Sequence, residues 1–563
     1  MADYYKLVRD KEADFADLHS RMDTDADLYH LRPYKMVDKE NREEPDVENI
    51  TLNEPAAYAH QAQAFLSSAK SQVAIEGEGL SDKDATTIET FLQALYRAID
   101  KRLQQRFMGD LRSFLVEQIC IRGIIACRFY LREVGEEFIP DVLLCDSRYI
   151  LFDTDTDGLT WAAYKTQRTK EQIYNEYGLE TGSATSTVTD MWDKALELVF
   201  IEEILAKSQA HNLGYVPFVI QFSPLGSGLQ DAGGLRYKAE SIYSDCRELY
   251  KDLNKLGTVL NTLNIMSFFG AMQYESAAGT AAQRPARPPY GKRVVIPVEK
   301  GGGYKAMPIN DIKASSRLLY SLIYNAIQRG SLPAVEYGNL GFPLSALAIS
   351  KLTEAKDARF QPRLKALEAF YEMAARMLIR QYTDLKLNVE LETQGISKKY
   401  SYTQLAAAGD YNIKYSLTPV SAEQNIANYS IGNAALTFLS EDTVRRDILK
   451  VESPEVEEQK RLSELANRMV PELSLYKMAK AKLEQGEELE AKIIAHKLGL
   501  TLRQLKGGKT PPATPQQAEP IPRTKEGLIP LLGRGVPAGL GRSRRAATAP
   551  AEEAPQGEPG EEQ

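Results

Sequence analysis

The chain has 563 residues, 43% hydrophobic and 26% charged, with a formal net charge of −8. This is enough apolar material for a sizeable core, in roughly two to four domains or one elaborate protomer, and the acidic balance argues against tight wrapping of nucleic acid, which needs a dominant basic surface. Cys120, Cys127, Cys145 and Cys246 form no CxxC pair and read as reduced core thiols, the charged N-terminus has no signal-type apolar region, and no apolar run approaches the ~20 residues of a membrane span, so a soluble protein made in a cytoplasm is expected.

The first 50 residues are charged with scattered aromatics, and DFADLHSRMDTDADLYHLRPY predicts a helix ending near Pro33. Residues 55–74 read as a helix and 80–113 as a second, long helical region. The second opens at Ser81 with Asp84 three residues on, a capping box with Asp in place of Glu, and carries Ile88, Phe91, Leu92, Leu95, Tyr96 and Ile99 at helical spacing. From Leu115 the texture changes. IIACRFYLREV, EEFIPDVLLCDSRYILFDTD and GLTWAAYKTQ are β-branched and aromatic and predict strands. A helix over 169–177 closed by Gly178 follows, then TGSATSTVTD as a loop. KALELVFIEEILAKS and YVPFVIQFSP are extended runs, and PLGSGLQDAGG is a flexible linker.

Beyond Leu235 helical periodicity returns. YKAESIYSDCRELYKDLNKLGTVLNTLNIMSFF predicts one amphipathic helix, with Ile242, Cys246, Leu249, Leu253, Leu256, Leu260 and Leu263 down one stripe. A Gly/Pro-rich module holding the short strand VVIPV follows and is expected to protrude between two long helices. INDIKASSRLLYSLIYNAIQRG is the second helix, SLPAVEYGNLGFP an irregular loop, and 344–382 a very long helix with Pro362 in its interior. A proline there removes a donor and clashes with the preceding turn, which predicts a kink. LKLNVELETQG and DYNIKYSLTP alternate as strands, and 421–440 and 454–506 are helical with breaks at Gly486 and Gly499. From Gly507 a Pro/Gly/Ala/Glu-rich composition predicts a disordered tail.

This order of parts resembles the portal proteins of tailed double-stranded DNA bacteriophages. LCDSRYILFDTDTDG is similar to the body strands of that family, and HNLGYVPFVIQFSP to the segment before its first channel helix. IYNAIQRGSLPAVEYGNLGFPLSALAISKLTEAKDARFQPRLKALEAFYEMAARML resembles its second channel helix, tunnel loop and kinked helix, and SEDTVRRDILKVESPEVEEQKRLSEL its C-terminal segment. The resemblance covers most of residues 1–500 and rests on the architecture rather than on one diagnostic motif.

The resemblance implies an α+β, portal-type protomer with wing, stem, clip and crown and a long kinked helix. Such protomers assemble into a ring, usually a dodecamer, at one vertex of the capsid. On this chain the parts fall at 1–234 (wing), 235–263 (first stem helix), 264–310 (clip), 311–329 (second stem helix) and 330–343 (tunnel loop). The kinked wing helix and strands fall at 344–418, the helical crown at 419–506 and the tail at 507–563. The resemblance further implies a virion protein, synthesised in the bacterial host cytoplasm, through whose ring double-stranded DNA is packaged and ejected. The terminase large subunit and then the head–tail adaptor dock on it, and major capsid and scaffolding proteins surround it. It implies no enzymatic activity, cofactor, metal or membrane.

On that reading Lys251, Lys255, Lys313, Arg317 and Arg329 are candidates to line the channel, with a solvated outer face as the alternative. A conduit for a polyanion suits isolated cations, because each phosphate contact slows translocation. Val335, Tyr337, Leu340 and Phe342 are apolar or aromatic in a Gly-rich loop. They either narrow the bore around DNA or pack between neighbouring subunits. Arg284, Arg287, Tyr290, Lys292 and Arg293 are candidates for adaptor or motor docking.

Patterns for other chemistry fail on their residues. GGKT at 507–510 has Arg503 where a phosphate-binding loop needs Gly, DTDTDG at 153–158 has Tyr164 where a calcium loop needs Glu, and GSGLQD at 226–231 lacks the last glycine of a dinucleotide fingerprint. Two other classes stand beside the portal: another virion neck or tail connector, and an enzymatic subunit of the packaging motor. The latter is disfavoured by the missing phosphate loop.

Overall fold

A computed structural model of the chain describes residues 2–45, 47–77, 80–135, 137–228, 234–268, 272–275, 303–306, 314–332, 346–393, 396–406, 411–419, 422–451, 454–469, 475–476, 478–479, 483 and 488–501. Two compact units divide it, Met1–Ala466 and Asn467–Gln563.

The first unit mixes helix and antiparallel sheet. Helices α1 (Ala2–Asp14) and α2 (Ala16–Tyr29) meet at the buried Phe15, and α3 (Glu54–Ser68) leads into strand β1 (Lys70–Glu76). Helices α4 (Asp82–Gln105) and α5 (Leu111–Ile121) follow, then β2 (Ile124–Val134), β3 (Glu137–Cys145), β4 (Ile150–Asp155) and β5 (Gly158–Thr169). Next come α6 (Lys170–Tyr177), β6 (Thr185–Asp193), β7 (Leu196–Ile201), β8 (Ile204–Ala210) and β9 (Phe218–Phe222). A five-stranded meander runs β4-β5-β6-β7-β8, and a three-stranded sheet runs β3-β2-β9.

Strand β2 organises the unit because it is buried on both faces. Side chains alternate across a strand, so Ile125, Cys127, Phe129 and Leu131 enter a large core with α3, α4, α5 and the long helix described below. Ile124 and Ala126 enter a second core with α1, α2, the meander and β9. Arg128 on the second face is buried and donates to Asp190 on β6 (2.6 Å) and Asp141 on β3 (3.3 Å), which joins the two sheets.

The chain continues through α7 (Arg247–Phe268), the antiparallel pair β10 (Met272–Glu275) and β11 (Gly303–Ala306), and α8 (Ala314–Gly330). Helix α9 (Ala346–Asp384) has 39 residues, about 58 Å at 1.5 Å per residue, and runs unbroken through Pro362. The hairpin β12 (Asn388–Thr393) and β13 (Ile396–Ser401), the short α10 (Tyr402–Ala406), and β14 (Asn412–Thr418) follow. Helix α11 (Ala422–Ala435), a single turn α12 (Glu441–Thr443) leading into a π turn, and α13 (Pro454–Met469) come next. In the second unit, α14 (Glu488–Lys497) packs Ala491, Ala495 and Leu498 against Ala479, and Gly499 at φ +69 follows its end.

Several expected elements differ. The helix over 55–74 ends at Ser68, and residues 70–76 pair as a strand with β14 from Lys70↔Thr418 to Glu76↔Asn412. The helix over 80–113 breaks at 106–110. There Asp110 caps a new helix by accepting from the Ser113 amide, so the apolar run from Leu115 is helical up to Ile121. EEFIPDVLLCDSRYILFDTD splits into β3 and β4 around a turn capped by Asp146. The expected loop 181–190 contains the start of β6, whose Val188 and Thr189 are buried between β5 and β7. KALELVFIEEILAKS folds back on itself as β7 and β8, turning at Glu202 with φ +55. The amphipathic helix expected from 235 begins at Arg247 and runs to Phe268. Residues 238–246 precede it as turns held by backbone bonds such as Ile242 N–H to the Cys120 carbonyl (2.9 Å). DTDTDG is the β4–β5 hairpin turn, with Lys11 on Asp153 and Lys194 on Asp155. All four cysteines are buried and unbridged. Among the described residues no helix is long and apolar enough to cross a membrane.

Gly123 links α5 to β2 at φ +78, and a Cβ there would lie 1.9 Å from the Ala239 carbonyl oxygen. Gly123→Ala is therefore expected to destabilise the fold by about 3 kcal/mol, from strain plus displaced backbone. Thermal unfolding checks this, and an unchanged midpoint would contradict it.

Candidate functional site: a helix pair and its anchorage

The N-terminal end of α7 meets the C-terminal end of α8, so the two run antiparallel, with β10 and β11 between them in sequence. Contact at this base is close. Cys246 Sγ donates to the Ile327 carbonyl (3.7 Å), and a Cβ on Gly330 would fall 2.3 Å from that sulfur. Glycine is required there for lack of room rather than for backbone freedom.

A buried ionic cluster fixes where α7 starts. Arg247, its first residue, donates through Nε to Asp25 Oδ1 (2.6 Å) and through Nη2 to Asp25 Oδ2 (3.1 Å) and Glu240 Oε2 (2.6 Å). Arg21, one turn before Asp25 on α2, lies 3.6 Å from Glu240 and donates to four carbonyls, of Arg122 (3.0 Å), Arg236 (3.3 Å), Lys238 (2.8 Å) and Ala239 (3.1 Å). Two cations and two carboxylates thus balance in a nearly dry site. Burial pulls Arg21 below the usual guanidinium range and pushes Asp25 up. For Arg247, burial alone acts downward, but the bonds to Asp25 and Glu240 outweigh it and hold the charge.

Helix α9 clamps the same base. Arg359 donates to the Tyr58 hydroxyl (3.2 Å), the Arg329 carbonyl (3.3 Å), Asp245 Oδ2 (3.0 Å) and the Gly330 carbonyl. One turn on, the buried Arg363 donates to the Ser241 carbonyl (2.8 Å), and burial lowers its pKa. Pro362 sits between these two arginines, so the long helix grips the base of both α7 and α8 around its proline.

Along its length α7 is braced by an extended strap, residues 47–52. The backbone N–H groups of Glu48, Ile50 and Leu52 donate to Thr262 Oγ1 (2.9 Å), Thr258 Oγ1 (3.2 Å) and Asn254 Oδ1 (2.9 Å). The match is geometric. Two extended residues advance about 6.7 Å and four helical residues about 6.0 Å, so every second strap amide meets every fourth helix side chain. Asn261 Nδ2 donates to the Glu48 carbonyl (3.0 Å), and Gly257 lets Ile50 approach, since a Cβ there would meet Ile50 Cγ2 at 3.0 Å. On its outer side the strap holds residues 34–36 through Asn49 Oδ1 to Met36 N–H and Thr51 Oγ1 to Tyr34 N–H (2.8 Å each).

Of the candidate channel cations, Lys251 and Lys255 are exposed one turn apart on α7, and Arg317 and Arg329 are exposed on α8. Lys313 lies outside the described residues. So do Val335, Tyr337, Leu340 and Phe342 of the loop and Arg284, Arg287, Tyr290, Lys292 and Arg293 of the protruding module. Two features escaped sequence reading. Leu318, Leu319, Tyr320 and Leu322 on α8 are 37–62% exposed, although the helix reads as amphipathic. The strap seam on α7 did carry a signal: Asn254, Gly257, Thr258, Asn261 and Thr262 recur at helical spacing on the side away from the leucine stripe.

Asp25→Asn leaves two buried guanidinium groups short of a carboxylate and is expected to cost about 3–5 kcal/mol, measured by denaturant unfolding; an effect below about 1 kcal/mol would contradict the cluster's role. Thr258→Val with Thr262→Val removes two acceptors from strap amides, about 1–3 kcal/mol for each unmet group. Hydrogen exchange is expected to speed up over 47–53 while β2 stays protected, and unchanged exchange in the strap would contradict the brace.

No family model matches the chain, and no curated protein matches it. Among solved structures it is similar to a chain of the neck of an empty gene transfer agent (GTA) particle computed with C6 symmetry. That likeness has 13% identity over 69% of this chain and 88% of that one, with a TM-score of 0.36. It is similar also to a chain of the virion of the native GTA particle, at 13% identity, 69% and 88% coverage and a TM-score of 0.34. At these scores the likeness decides nothing about fold or function.

Proposed function

We propose that this chain is the protomer of a phage-type portal ring, a non-enzymatic conduit at one capsid vertex through which double-stranded DNA is packaged and ejected. The observation that carries the reading is the α7–α8 pair, two antiparallel helices gripped at one end by α9 and by the buried ionic cluster. Its other end leads into β10 and β11, and the outer side of α8 is apolar and exposed. A lone protomer gains nothing from such a face, whereas a neighbouring subunit would cover it. In a ring the pair forms the channel wall, and Lys251, Lys255, Arg317 and Arg329 supply scattered positive charge. DNA is then attracted weakly and released at each step, since screening confines each cation to about 10 Å at moderate salt.

In this reading residues 264–310 face the terminase and later the head–tail adaptor, and the loop 330–343 stands at the inner end of the wall. The protein belongs to the virion, in contact with capsid and scaffolding proteins. Mass photometry of the purified chain is expected to give one ring species at an integral multiple of 62.8 kDa, usually twelvefold, without ATPase or nuclease activity. A monomer at all concentrations, or turnover of nucleotide, would contradict the proposal.

A further inference from the structure

Helix α4 ends in a left-handed cap that is occupied by the wrong kind of residue. Phe107 N–H donates to the Gln104 carbonyl and Met108 N–H to the Leu103 carbonyl (3.0 Å each), the pairing of a Schellman cap. The residue between helix and exit has φ +58, where glycine is the usual occupant, as Gly178 is after α6. Here it is Phe107, and its side chain is 100% exposed. A bulky residue in this conformation is strained, and neither the cap nor the core uses its ring.

At the other end of α5 lies a receptor of matching chemistry. Phe15, Leu18, Phe152, Phe222 and Leu235 line an open cavity of about 270 Å³. A cavity of roughly 150 Å³ already admits a benzene ring. Charges of both signs flank both features: Arg106 and Asp110 lie beside Phe107, and Asp14, Lys238 and the Lys11–Asp153 ion pair surround the cavity. The two features sit at opposite edges of one sheet. Arg106 reaches the Val142 carbonyl on β3 (3.4 Å), whereas Phe222 pairs with Ile124 from the β9 edge. A knob on one flank and a hole on the other cannot satisfy each other within one chain, and they join copies head to tail, the contact type that closes into rings.

We infer that Phe107 of one copy seats in the Phe15–Phe152–Phe222 cavity of the next. The inference rests on the ring reading, because the partner it needs is a second copy of this chain. The test joins Met108→Cys beside the knob to Asp14→Cys on the rim, leaving Phe107 in place; the four native cysteines are buried and silent. Oxidation of the assembled double variant is expected to give a ladder of covalent multimers, and neither single variant is expected to do so. In parallel, Phe107→Gly relieves the strained cap, so the monomer's thermal midpoint holds or rises while association weakens by at least about tenfold, as for loss of a buried aromatic anchor. Rings that form without the ladder, and form equally well in Phe107→Gly, overturn this contact and leave the ring reading standing. A ladder that stops at dimers overturns head-to-tail joining. Absence of any wild-type multimer overturns both readings.

Discussion

The cluster of Arg21, Asp25, Glu240 and Arg247 is the constraint on which the rest of the architecture depends. Four charges are almost withdrawn from water, a state that persists only when each is paired and its remaining donors are met. Arg21 meets most of that condition by binding four carbonyls through its two Nη groups, three of them in the segment that precedes α7, while its Nε lies 3.8 Å from Asp25 without a hydrogen bond. The turns therefore cannot relax into the longer helix that their periodicity suggests. Helix α7 begins where the cluster places it, with Arg247 as its first residue, and its direction from the body is set at that point.

The other contacts extend this control outward. Arg359 and Arg363 of α9 reach the base of both α7 and α8, so the position of α8 depends on α9. The strap then holds α7 on the side away from its leucine stripe. The strap is held largely by side-chain acceptors on backbone donors, with little apolar burial, and elements held in this way open at lower free energy than the core. Rigidity is thus graded from a fixed base to a braced length.

How much of this was legible in the sequence depends on the range of the interaction concerned. Local chemistry read well: Ser81 caps α4 by accepting from the Asp84 amide (3.2 Å), and Gly178 takes the left-handed position at the end of α6. The strand character of β2 could be read from its β-branched and aromatic run, and the long helix around Pro362 from its length, but Arg128 in the middle of β2 hides in the sequence that both faces are buried. What failed depended on distant partners. Residues 70–76 are a strand only because residues 412–418 lie beside them, and β13 exists only as the mate of β12. The start of α7 was misplaced because an ionic cluster assembled from α2 and residue 240 overrode helical periodicity. The polar seam on α7 was visible as a pattern but had no meaning until the strap gave it an occupant. Lys251, Lys255, Arg317 and Arg329 are exposed, and exposure alone does not say whether they face a bore or an outer surface.

The central claim is that α7 and α8 form the inner wall of a ring. Cryo-electron microscopy of the assembled protein tests it most directly, by locating the two helices relative to the rotation axis. The account predicts a closed ring in which the α7–α8 pair lies nearest the axis, Lys251 and Lys255 face the opening and α9 runs outward from their base. A ring with this pair on its periphery, or an assembly with no central opening, would contradict it.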